Sequence, residues 1–149
     1  MSDFLPHVTV ATIIPHEDGK RFLFVEERDD DGKKVINQPA GHLEANESLI
    51  EAAVRESLEE TGWQVEVTGF VGIALYHGSN GITYQRNTFS AKAVHAVEGA
   101  QLDSGIIGPV WLSEEELLAR KEEWRSELVY SSLKHYLNGS VYPLSVFYS

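Results

Sequence analysis

Three glutamates, Glu56, Glu59 and Glu60, sit close together in the segment Gly41–Trp63, which reads GHLEANESLIEAAVRESLEETGW. On a helix advancing about 100° per residue, spacings of three and four bring all three onto one face. Unpaired, they repel by a few tenths of a kcal/mol per pair, roughly. A hard divalent cation turns that repulsion into attraction, and an oxygen-only donor set in a chain without cysteine suits Mg²⁺ or Mn²⁺. A cluster of Glu on a helix is most often a solvated face, so the flanking spacing decides. Gly41 is followed after five residues by Glu47, and after seven more by Arg55-Glu56. Two residues later come Glu59-Glu60, then one residue, Gly62 and Trp63. The same wheel places Ile50, Val54 and Leu58 opposite the acids as the expected buried stripe. It places the small Ala52 and Ala53 one turn back along the acidic face, leaving room for a ligand.

These side chains need a frame. Glu47 to Thr61 has helical patterning, with Asn46 as one candidate cap, or Ser48 with Glu51 as a capping box. Gly62 stands where a left-handed cap is expected. His7–Ile14 and Arg21–Glu26 read as strands around the Asp18-Gly19 turn, and Lys33–Asn37 as a returning strand after an acidic, solvated tip at Glu27–Gly32. Asp29 and Asp31 begin like a calcium loop, but Lys33, Lys34 and Ala40 occupy positions where ligands and a turn glycine are required. Val65–Tyr76 and Ile82–Val97 read as strands flanking the Gly78–Gly81 turn, and Val110–Leu112 as a short strand. Ser113 and Glu116 form a second capping box, Glu123–Leu137 patterns as a helix, and the apolar tail Val141–Phe147 is expected to fold back onto the body.

The whole-chain quantities exclude several classes. A length of 149 with 42% apolar and 23% charged residues describes one globular domain spanning 1–149. The absence of cysteine removes disulfides, thiolate nucleophiles and cysteine zinc sites. A net charge of −11 argues against a nucleic-acid polymer or an anionic membrane as partner. The N-terminus shows no signal-peptide pattern, and the expected address is cytoplasmic. The expected state is monomer or homodimer.

Taken together, the spacing from Gly41 to Trp63 resembles the loop–helix–loop signature of the Nudix (MutT-like) hydrolases over all twenty-three positions. Ser57 departs from it, standing where the family has an aliphatic residue that packs the helix. Pro6–Val10, Asn37–Glu44 and Tyr142–Leu144 are similar to the NudJ-type phosphatase subgroup, with Ala40 where most of the family has glycine.

The resemblance implies an α/β fold, an α/β/α sandwich with a central mixed sheet. It also implies metal-dependent hydrolysis of phosphoanhydride bonds. Glu56, Glu59 and Glu60 are then the metal-binding acids and the Ala40 carbonyl a further ligand. Arg55 pairs with Glu51 and Glu47 to hold the acids in register, and Gly41 and Gly62 serve backbone geometry. Glu56 is the candidate proton acceptor, and Asp103 is a second candidate for which turn capping is the simpler explanation. Arg86, Gln38 and His42 are candidates for phosphate, and Tyr76, Tyr84 and Trp111 for stacking on a base. The implied substrates are small diphosphates: nucleoside tri- and diphosphates and thiamine or hydroxymethylpyrimidine pyrophosphate. The alternatives are an ADP-ribose or dinucleoside polyphosphate pyrophosphatase and a catalytically silent nucleotide-binding module.

Overall fold

Strand β1 (His7–Ile13) is apolar on both faces, so it must be covered from both sides. Alternate side chains separate accordingly: Val10 joins one apolar cluster and Ile13 the other. A computed structural model describes residues 3–149. In it, β1 lies inside a four-stranded mixed sheet. It pairs in parallel with β6 (Thr83–Ala96) and antiparallel with β4 (Ala40–His42), while β6 pairs antiparallel with β5 (Trp63–His77), giving the order β4-β1-β6-β5. A second, antiparallel sheet has the order β3-β2-β7, from Lys34–Asn37, Arg21–Arg28 and Ile106–Ser113.

Helix α1 (Leu49–Thr61) covers one side, where Val10, Leu23, Ala52, Ala53, Phe70 and Phe89 form a core. Helices α2 (Glu114–Ala119) and α3 (Leu128–Leu137) cover the other, over Ile13, Phe22, Phe24, Leu117, Val129 and Leu133. This is the expected sandwich of helices around strands. The C-terminal tail folds back as expected: Tyr142 exchanges backbone hydrogen bonds with Phe70 at 2.7 and 2.8 Å. The Phe147 ring meets Phe70 and Phe89 with centroids 4.9 and 5.4 Å apart.

Several expectations are corrected. α1 starts at Leu49, not Glu47, because Ser48 and Glu51 form the capping box, while Asn46 takes a left-handed φ of 65° in the loop before it. The predicted helix from Glu123 begins only at Leu128, with a 3-10 turn at Lys121–Glu123 ahead of it. Ala40–His42 is a strand that the sequence reading leaves as loop.

The buried face of α1 also differs from the expected stripe. Ala52 and Ala53 are fully enclosed and leave no space for a ligand, and Ile50 and Val54 are only partly buried. Small residues at 52 and 53 let the helix backbone approach the strands closely, and larger neighbours are pushed to the flank. Ser57 lies in that same tight seam at 0% exposure. Its hydroxyl donates to the Ala53 carbonyl at 2.8 Å and lies 3.0 Å from the Thr12 hydroxyl, so a polar pair replaces the family's aliphatic contact.

Candidate active site

α1 and β4 build the site together. The capping box fixes where α1 begins, and Gly62, at φ 75°, ends it with its N–H on the Leu58 carbonyl. β4 is held against β1 through Thr9–Ala11, which sets its three residues across the acidic side of the helix. Ala40 donates its N–H to Glu60 Oε1 at 2.8 Å. Gly41 backs directly onto Glu56: a Cβ at position 41 would overlap the Glu56 carboxyl group.

Arg55 organises the acids. It donates to Glu47 at 2.7 and 3.0 Å, to Glu56 at 2.7 Å, to Glu59 at 3.2 Å and to the His42 carbonyl at 2.9 Å. The expected pairing with Glu51 is not the one observed, because that carboxylate accepts from the Ser48 N–H in the cap. These acceptors hold the Arg55 pKa above its ordinary value, against the opposing effect of partial burial.

Two overlapping groups of acids result. Glu56, Glu59 and Asp103 each offer a carboxylate oxygen within 4.8 Å of the others. Glu56 and Glu60 line the principal cleft, which measures about 660 Å³. Glu56 belongs to both. Burial pushes its carboxyl up to about 7, against the pull of Arg55, with Glu59 and Asp103 adding repulsion. Burial drives Glu60 further, to about 9, opposed by the Ala40 N–H and reinforced by Glu27 and Glu56. Carboxyls whose pKa burial raises beside a cleft mark an unmet demand for positive charge. Three clustered oxygens beside a fourth acid, Glu60, fit a hard divalent cation, and none of the donors is soft.

The other expected residues divide. Arg86, His42, Tyr76 and Tyr84 line the cleft. Arg86 is 6% exposed, donates to Asn37 and Gln38, and has its pKa lowered to about 10 by burial; its Nε has no partner among the described residues. His42 sits with its Nε2 2.9 Å from His7 Nδ1 and its ring edge-on to Tyr84. Gln38 does not line the cleft: it is buried, donates to the Val129 carbonyl at 2.6 Å and serves as Arg86's acceptor. Trp111 is also elsewhere, edge-on to Trp63 and His16 beside the α1-side core.

Sequence reasoning missed Asn37, which clamps Arg86, and Glu27, which the burial pattern places inside the cleft rather than on a solvated tip. It also ranked Asp103 as a turn residue. The Asp103 N–H donates to the Glu59 carbonyl at 3.0 Å, a contact that carries its side chain to the acids of α1. No local pattern announces these three.

A sandwich of helices around mixed strands, with an acid-bearing helix braced by Arg55, defines a class, and the NUDIX domain model matches residues 5–132. The chain belongs to the Nudix family and is a Nudix phosphohydrolase. Phosphatase NudJ of Escherichia coli strain K12 is 41% identical to it over 143 residues, covering 96% of this chain and 91% of that one. A NUDIX hydrolase from Nitrosomonas europaea, a solved structure, superposes with a TM-score of 0.93 at 40% identity, covering 97% of each chain. Among the described residues, no helix is long and apolar enough to cross a membrane.

Proposed function

We propose that this chain hydrolyses the phosphoanhydride bond of small diphosphate compounds, nucleoside tri- and diphosphates or thiamine-type pyrophosphates, with Mg²⁺ or Mn²⁺ as cofactor. The observation that carries the reading is the convergence of Glu56, Glu59 and Asp103 within 4.8 Å, with Glu56 also facing a cleft of about 660 Å³. That volume accommodates a nucleotide-sized molecule. Glu56 and Glu59 would hold the cation, with Asp103, Glu60 and the Ala40 carbonyl as further oxygen donors. When bound, the cation neutralises phosphate oxygens and acidifies a water.

The chain's own groups do the rest. Water oxygen bonds to phosphorus in line with the anhydride oxygen, whose bond to phosphorus breaks, and the leaving phosphate departs with the electron pair. Glu56 is the group to which we assign the water's proton: it is common to both acid groups and faces the cleft. Arg55 keeps that carboxylate aimed through its 2.7 Å hydrogen bond. Tyr76, Tyr84 and His42 form a wall suited to a flat ring.

The test is a panel of diphosphates incubated with the purified chain and Mg²⁺, with every phosphate product identified. The expected outcome is turnover that Glu59→Gln lowers roughly a hundredfold or more. Asp103→Asn separates a ligand from a turn residue: a comparable loss assigns it to the site, and wild-type rates return it to the turn. Wild-type turnover by Glu59→Gln would overturn the site, and AMP with ribose phosphate as the dominant products would point to ADP-ribose.

A further inference from the structure

The cleft has two unlike ends. One is the turn between β5 and β6, presenting Tyr76, Asn80 and Tyr84, with His42 beside them. The other is formed by the β2–β3 turn, with aspartates 29–31, and the segment entering α3, with Ser126 and with Arg125 paired to Glu27. Glu60 lines the same cleft, its Oε1 accepting the Ala40 N–H at 2.8 Å. Gly41 and His42 join Glu56 to the first.

An anionic substrate entering this cleft meets a lining rich in Asp and Glu on a chain of net charge −11. Among the described residues two cationic side chains line it, Arg86 and Arg125. Arg86 is committed: it is enclosed, and its terminal nitrogens donate to Asn37 and Gln38. Arg125 is held differently. Its backbone N–H is anchored on the Ile36 carbonyl at 2.9 Å, next to the bridge between Ile36 and Trp124. Its side chain is 43% exposed and makes one hydrogen bond among the described residues, from Nη1 to Glu27 Oε1 at 3.2 Å. The base of the residue is fixed while most guanidinium donors remain available. A planar fork of this kind matches phosphate oxygens in pairs, and a half-exposed one gives up little hydration to do so.

We propose that Arg125 receives the phosphate chain of the substrate, so that the substrate lies across the cleft with its ring against Tyr84 and its phosphates toward Arg125. This rests on the reading of the chain as a hydrolase of small diphosphates and adds the polarity of binding to it. Glu27 is then the resting partner of Arg125, holding the guanidinium over the cleft until phosphate oxygens take its place. Arg125 is a specificity-determining residue that leaves the reacting bond to the acids of α1.

Two fragment probes, neither of which can be hydrolysed, test the arrangement by calorimetry on the full chain with Mg²⁺. Methylenediphosphonate represents the phosphates and adenosine the ring. Arg125→Ala is expected to weaken methylenediphosphonate about ten- to hundredfold, with adenosine affinity held within about twofold. Tyr84→Ala is expected to show the converse. Arg125→Lys, which keeps the charge and loses the fork, is expected to fall between wild type and Arg125→Ala and provides a reading should the alanine variant unfold. Unchanged methylenediphosphonate binding in the folded Arg125 variants, or equal loss of both probes, overturns the proposal. Since neither probe is turned over, this outcome is separate from that of the substrate panel. A chain that hydrolyses diphosphates but binds the phosphonate equally well with Arg125→Ala retains its function and loses only this polarity.

Discussion

Glu60 shows how far one side chain's chemistry depends on its surroundings. Its carboxyl is 8% exposed, and burial raises its pKa to about 9, so at neutral pH and without a cation it carries a proton. Glutamine is close to that protonated form in shape and charge. Glu60→Gln is therefore expected to leave the metal-free melting temperature within about 2 °C of wild type, a shift of no more than about 1 kcal/mol, while turnover falls at least tenfold, roughly. A scan in EDTA beside a rate assay checks both, and a large loss of stability would show that the residue is charged when metal-free. Gly41 tests the same neighbourhood from the backbone. In Gly41→Ala the new methyl overlaps the Glu56 carboxyl, which can swing away only by leaving Arg55. The expectation is a folded variant, destabilised by about 1–3 kcal/mol, with turnover down roughly a hundredfold from misplacement of Glu56. Denaturant unfolding and kcat measure the two effects separately.

At the scale of the element, α1 is the instructive case. Ser57 and Thr12 share a hydroxyl pair at 3.0 Å with both side chains buried. Ser57→Ala and Thr12→Val are each expected to cost about 1 kcal/mol. The double variant should cost less than their sum, since the contact between the two hydroxyls can be lost only once; urea unfolding of all four proteins reads the coupling. The ends of α1 were legible in the sequence because capping boxes and a terminal glycine act through hydrogen bonds within a few residues, and both are observed. Its buried face was not. A hydrophobic wheel ranks Ile50, Val54 and Leu58 as core, but the seam against the strands is too narrow for them and selects Ala52, Ala53 and Ser57. β4 was equally hidden. Ala-Gly-His has no strand pattern of its own and becomes one by pairing with Thr9–Ala11 of β1. Spacing puts Glu56, Glu59 and Glu60 on one helix face, but Asp103 reaches Glu56 and Glu59 only through the topology, as Glu27 and Arg125, 98 positions apart, reach each other.

For the whole molecule, the buried acids set a dependence on pH. A carboxyl whose folded pKa exceeds its unfolded value binds protons more tightly in the folded state, so its stabilising contribution is complete at low pH and declines as pH rises. Glu56 and Glu60, raised from 4.5 to about 7 and about 9, place that decline between about pH 5 and 9. Carboxyls lowered by ion pairs, such as Glu123 at about 2 beside Arg120, act in the opposite sense, losing their contribution only as pH falls below that window. Metal-free protein is therefore expected to melt progressively lower from pH 5 to 9, and saturating Mg²⁺ to flatten the trend by binding the ionised form. Melting curves with EDTA and with Mg²⁺ across that range test it, and a rising EDTA curve would contradict the buried-acid arrangement. The returning tail adds a different kind of dependence. Because Tyr142 bridges to β5 at Phe70 and Phe147 closes over Phe70 and Phe89, residues distant in the chain complete a hydrophobic layer that the strands leave open. A protease that clipped the segment carrying Tyr142 and Phe147 would lay Phe70 and Phe89 bare, turning a monodisperse protein into an aggregation-prone one.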